Sequence, residues 1–173
     1  MALRNILLHP DPRLKKKCEP VSEMDDATRT LMQDMLETMY AAPGVGLAAP
    51  QIGVMKRILV MDIVKEDEGE PQPYLMANPE VTWASEEMNT YEEGCLSIPE
   101  EFAEIERPSR VKVSYLDSNG ETQELDCDGL LATCVQHEID HLDGKLFIDY
   151  LGPVKRSMIT GRMKKRKKER ATA

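Results

Sequence analysis

The chain has 173 residues, is 41% hydrophobic and only 5% aromatic, and carries a formal net charge of -9. That length and composition suit one globular domain, and no apolar stretch approaches the length of a membrane span. The charge is uneven: residues 155–170 hold nine Lys or Arg against the single acid Glu169, a local +8 that leaves -17 on the rest.

The first residues, MALRNILLHPDPRL, contain no apolar run long enough for a secretory signal, and Pro10 and Pro12 interrupt them early. From Asp25 to Ala42 the apolar residues Leu31, Met32, Met35, Leu36 and Met39 recur at helical spacing. Asp25 or Asp26 can cap this amphipathic helix, and Pro43-Gly44 stops it. Residues 57–64, RILVMDIV, read as a buried strand, and the charged, Pro- and Gly-containing residues 65–73 as a surface loop. Ser118-Asn119-Gly120 predicts a hairpin between strands at 110–116 and 121–127. Asp128 can then cap a helix from about Gly129 to Asp143, with Gly144 as C-cap. Its apolar residues nearly encircle it, which predicts burial. A basic helix follows Pro153. The expected fold is α+β: antiparallel strands surrounding a central buried helix, with an N-terminal amphipathic helix and a C-terminal basic helix. One domain over 1–173 is expected, 155–173 being its basic tail. The eleven Met are read mainly as flexible core filling. Cys18, Cys95, Cys127 and Cys134 form no CxxC pair, and a domain this size needs no disulfides, so they are read as reduced thiols in a cytosolic protein.

The central helix carries Gln136-His137-Glu138-Ile139-Asp140-His141, an HExxH pattern. Residues four apart share one helix face, so His137 and His141 can bind one ion while Glu138 projects beside it. Burying two histidines and a glutamate this close together is costly without such a purpose. The third ligand of a zinc protease lies downstream, but no His follows His141, and the later acids are Asp143, Asp149 and Glu169. A thiolate from upstream is the better candidate. Cys134 and His141 are seven residues apart, about 10 Å along a helix, too far to share an ion. Cys134 is therefore assigned to the pocket or the core, and Cys18 and Cys127 to apolar roles. Cys95 sits in Glu93-Gly94-Cys95-Leu96-Ser97, where Gly permits close backbone approach; residue spacing favours it without deciding the matter.

The chain resembles the peptide deformylase family. Three separated strings carry the likeness in order: GVGLAAPQ at 44–51, EGCLS at 93–97 and QHEIDH at 136–141. LLHPDPRL and the helix after it are also similar. The resemblance implies a hydrolase that removes the formyl group from formyl-methionyl nascent polypeptides and releases formate. It implies that Cys95, His137 and His141 bind one divalent metal: Fe2+ first, with Zn2+, Ni2+ or Co2+ also accepted. Glu138 would be general base and then proton donor, and Gln51 with the N–H of Leu96 would stabilise the oxyanion. Gly46 and its neighbours would pair with the substrate backbone as an added strand, and Gly94 would also bind the substrate. Val45, Leu130 and Cys134 would help line a pocket for the methionine side chain. The implied setting is the bacterial cytoplasm, with no membrane partner.

Two other readings compete, an HExxH metalloprotease and a non-catalytic ribosome-associated homologue. The missing downstream ligand opposes the first, and the complete set Gln51, Cys95, His137, Glu138 and His141 opposes the second. The tail lacks interleaved aromatics for base stacking, so sequence-specific nucleic-acid binding is not expected. Electrostatic docking on the ribosome and a plain solvated helix both remain open for it.

Overall fold

All four side chains of Ile58–Met61 are buried because both faces of that strand are covered. Ile58 and Val60 point to one core, where they meet Met32, Met35 and Met39. Leu59 and Met61 point to another, where they meet Val135, Ile139 and Leu142. Strand periodicity of two thus separates two helices onto opposite faces of one sheet. The computed structural model that shows this describes residues 2–65 and 67–172. Met1 and Ala173 of the expected domain, and Glu66 of the expected surface loop, lie outside the described residues.

The elements are α1 (Asp26–Ala41), β1 (Gly46–Ala48), β2 (Ile58–Met61), β3 (Tyr74–Ala84), β4 (Met88–Cys95), β5 (Ile98–Pro108), β6 (Arg110–Leu116), β7 (Thr122–Asp128), α2 (Gly129–Leu142) and α3 (Pro153–Thr172). This is an α+β arrangement with three helices among the described residues. Strands β1-β2-β3-β6-β7 form one antiparallel sheet, and β4-β5 pair separately. Asp25 caps α1 by accepting from the Thr28 N–H at 2.8 Å.

The hairpin falls where Asn-Gly predicts it: the Gly120 N–H donates to the Asp117 carbonyl at 2.9 Å. Asp128 does stand at the N-cap of α2, but its side chain makes no capping bond, contrary to expectation. The end of β7 holds it in extended conformation there. The strand expected over 57–64 is shorter, because Asp62 turns its carboxylate back to the Val64 N–H at 3.0 Å.

Strands β3, β4 and β5 leave no clean hydrophobic alternation. Buried positions in β4 and β5 are taken by Glu93, Glu101 and Arg107, which a reader of polarity places at the surface.

A third core joins β5, the 3-10 turn Phe147–Tyr150 and α3 through Ile98, Ile105, Phe147, Ile159 and Met163. The basic helix is therefore a packed element along one side and not a free tail. Arg162 and Arg166 bind the buried Glu101 at 2.7 Å each, and Thr160 Oγ1 lies 2.8 Å from His9 Nε2.

Candidate metal centre

Helix α2 brings His137 and His141 one turn apart, with ring centroids separated by 5.0 Å. Cys95 closes β4 just before the tight connection to β5, and its Sγ lies 3.4 Å from His141 Nε2. One donor atom from each of Cys95, His137 and His141 falls within 4.8 Å of the others. Cys134, on α2 itself, faces the core, its Sγ toward the Val45 carbonyl at 3.7 Å. The helix-length argument that separated it from the donors thus agrees with the geometry.

Gln51 stands over this cluster on the 3-10 turn Ala49–Ile52. Its Oε1 accepts from the Ala48 N–H at 2.9 Å, which fixes the amide. Its Nε2 then donates to Ser97 Oγ at 3.0 Å and faces Cys95 Sγ at 3.5 Å. Glu138 is buried, and burial pushes its carboxyl up to about 7. Gly46 packs on that carboxylate so closely that any Cβ there would collide with it.

Among the described residues, Glu138 Oε1 and His141 Nδ1 are buried without a hydrogen-bond partner. Burial and the neighbouring His137 hold His141 well below the ordinary imidazole range, so that it stays neutral and keeps a lone pair to donate. Burial also opposes charge on His137, but Glu138, Cys95 and Glu93 outweigh it and raise that imidazole. Such a pocket favours a cation at its centre. One thiol and two imidazoles with converging donor atoms fit a divalent transition metal.

Sequence reasoning assigned nothing to the groups behind His137. Its Nδ1 lies 2.9 Å from Glu93 Oε1, so Nε2 is left to face the donor cluster. Arg107 grips Glu93 with two N–H groups at 2.7 and 3.0 Å and reaches Asp140 with a third at 2.8 Å. Tyr150 donates to the same Asp140 oxygen at 2.7 Å and lies under the Arg107 guanidinium. Burial alone would raise Glu93, but His137 and Arg107 hold it below the usual carboxylate range. Glu93 and Asp140 lay inside the strings already singled out, which was the available signal. Arg107 had none.

A cavity of about 480 Å³ opens over the cluster. Val45, Gly46, Gln51, Gly94, Cys95, Leu96, His137 and Glu138 line it. His141 is almost fully buried and, like Cys134, lies outside the lining. Leu130, on the first turn of α2, is partly exposed and also outside it.

The family model described as polypeptide deformylase matches residues 3–157. The peptide deformylase of Phenylobacterium zucineum is 56% identical over 168 residues, covering 97% of this chain and 99% of that protein. That of Bartonella henselae is 54% identical over 172 residues, covering 99% and 97%. A crystal structure of peptide deformylase from Ehrlichia chaffeensis has a TM-score of 0.93 at 42% identity, covering 98% of this chain and 99% of that one. A second, from the same organism in complex with actinonin, has a TM-score of 0.92 at 45% identity, covering 96% and 98%.

Proposed function

The chain belongs to the polypeptide deformylase family, and from that membership we propose how its own residues divide the work. It is a hydrolase that removes the formyl group from N-formylmethionyl peptides and releases formate. The observation that carries this reading is the convergence of Cys95, His137 and His141 donors beside Gln51 and Glu138 at one cavity. A divalent ion held by those three residues would supply Lewis-acid polarisation and bring the acidity of water toward neutral pH. Fe2+ is the proposed resident, and Zn2+, Ni2+ or Co2+ suit the same donors.

Glu138, with its carboxyl near neutrality, takes a proton from the attacking water and returns it to the leaving amine. Gln51 holds its N–H groups toward the side where the oxyanion develops, and the Leu96 N–H, next in chain to Cys95, joins it. A neutral amide donor stabilises that charge without binding an anion in the ground state. Strand β1 ends its sheet, so the backbone around Gly46 can pair with an extended peptide, with Gly94 on the facing segment. Val45 meets the methionine side chain at the cavity wall, Cys134 backs that wall at the Val45 carbonyl, and Leu130 is proposed to help line the same pocket.

The test is formate release from formyl-Met-Ala-Ser by anaerobically purified protein of measured metal content. Chelation should abolish it, and Co2+ or Ni2+ should restore it. Full activity in protein shown to be metal-free would sink the mechanism.

A single domain spanning 1–173 in the bacterial cytoplasm is part of the proposal, supported by the bacterial relatives matched along nearly the whole chain. So is docking of α3 on the ribosome. Lys164, Lys165 and Lys167 are exposed, while Ile159 and Met163 anchor the helix inward. Replacing these three lysines by Glu should leave tripeptide turnover unchanged and weaken ribosome co-sedimentation, most at low salt. Undiminished co-sedimentation would remove the docking role.

A further inference from the structure

Two cavities meet at one aromatic side chain. Phe102, in β5, lines the catalytic cavity and also a separate groove of about 430 Å³ between β5 and α3. Its ring lies across Gly94, where an added Cβ would stand 2.6 Å away. Beyond it the groove is lined by Ala103, Leu151, Met158 and the nearly buried Ile159. Its charged lining residues are of both signs, Lys155 and Glu104, with Arg162 already bound by Glu101. Phe102 is 62% exposed and Met158 55%. Two exposed apolar side chains thus stand in one groove of mixed polar and apolar lining beside the active site, a setting in which a ligand finds apolar anchors.

We propose that this groove is an exosite for the downstream part of the formylated polypeptide, and that it favours an apolar side chain several residues after the methionine. The inference rests on the deformylase reading and extends it to longer substrates. Continuity is the first argument, since a chain leaving the catalytic cavity over Phe102 enters the groove directly. An extended backbone advances roughly 3.3 Å per residue, so a few residues suffice. Size is the second. Specific protein–protein interfaces bury about 1,200–2,000 Å², whereas a groove of about 430 Å³ is in the range that takes a peptide side chain or a small ligand.

The test compares kcat/KM for formyl-Met-Ala-Ser with that for nine-residue formyl peptides in which one Leu is scanned through positions four to eight of a Ser/Ala background. Leu at one or two adjacent positions should raise kcat/KM about five- to tenfold, part of what full burial of its side chain would give. Met158→Ser should remove most of that gain and leave the tripeptide value unchanged. Val154→Ser, at a residue 72% exposed on the same helix but outside the groove, should remove none of it. A flat Leu scan, or a gain that survives Met158→Ser, overturns the exosite. If the scan is flat and Met158→Ser instead weakens ribosome co-sedimentation, the groove receives a protein partner and the proposal is wrong. Absent turnover of the tripeptide itself would defeat the deformylase reading beneath it.

Discussion

Among the described residues, two arginine–glutamate clamps share a chemistry and differ in surroundings. The inner one, Arg107 on Glu93, steadies His137 behind the donor cluster, and both its side chains are about 5% exposed or less. The outer one, Arg162 and Arg166 on Glu101, pins α3 to β5; Glu101 is 8% exposed but Arg162 is 46%. In the inner clamp each charge depends on the other, because water cannot replace a lost partner. In the outer clamp solvent stands ready to replace Arg162. The same pair therefore fixes a reactive geometry in one region and merely fastens a helix in the other.

The widest separation between the two regions should come from chemistry alone. Glu138→Gln is expected to cost about 10²–10⁴-fold in kcat while metal content and the inner clamp persist. A variant that folds normally but purifies without metal would show that Glu138 is a ligand. Cys95→Ala should lose the metal, whereas Cys134→Ala should keep it. Elemental analysis decides between them, and equal loss in both would mean that the core thiol reaches the ion after all.

Breaking the clamps themselves comes next. Arg107→Met leaves Glu93 buried and unpaired, at an expected cost of about 3–5 kcal/mol in urea unfolding. It should also lower metal affinity about 10–100-fold in competition with a chelator, because His137 loses its fixed orientation. A stability loss with unchanged affinity would reduce the inner clamp to a structural brace. Arg162→Ala should cost far less than Arg107→Met, given how far its guanidinium is exposed. A loss as large as that of Arg107→Met would erase the contrast.

Acid gives the smallest effect and sharpens the outer clamp. Hydrogen bonding to Arg162, then to Arg166, holds Glu101 below its ordinary value. The folded state thus binds this proton less readily than the unfolded chain does. The clamp's contribution is complete above the unfolded value, about 4.3, and fades as pH falls through the depressed folded one. The Tm difference between the wild type and the Arg162→Ala, Arg166→Ala double variant should narrow from neutral pH toward about pH 3. A gap that holds constant or widens there would mean that Glu101 is not the group responsible.

Local physics made α1, the β6–β7 hairpin and α2 legible, because each is encoded within a few residues: Asp25 as a cap, Asn119-Gly120 as a turn, His137 and His141 four apart on one face. Elimination pointed to an upstream thiolate, and the strings around Gln51 and Cys95 named the rest of the site through the family they resemble. Strands β4 and β5 stayed hidden because their buried places hold Glu93, Glu101 and Arg107, whose burial is stable only with partners from distant segments, and β3 because Asn78, at positive φ, and Pro79 interrupt its run. No local pattern joins Arg107 to Glu93, or either to Asp140 and Tyr150. Nor does polarity reveal that a helix as basic as α3 seals a third core with Ile159 and Met163. The sequence by itself determined which side chains could do the chemistry, since helical spacing and ligand type are short-range properties. Only the tertiary structure decided what holds them still, since a buried charge is satisfied by whatever the fold brings beside it.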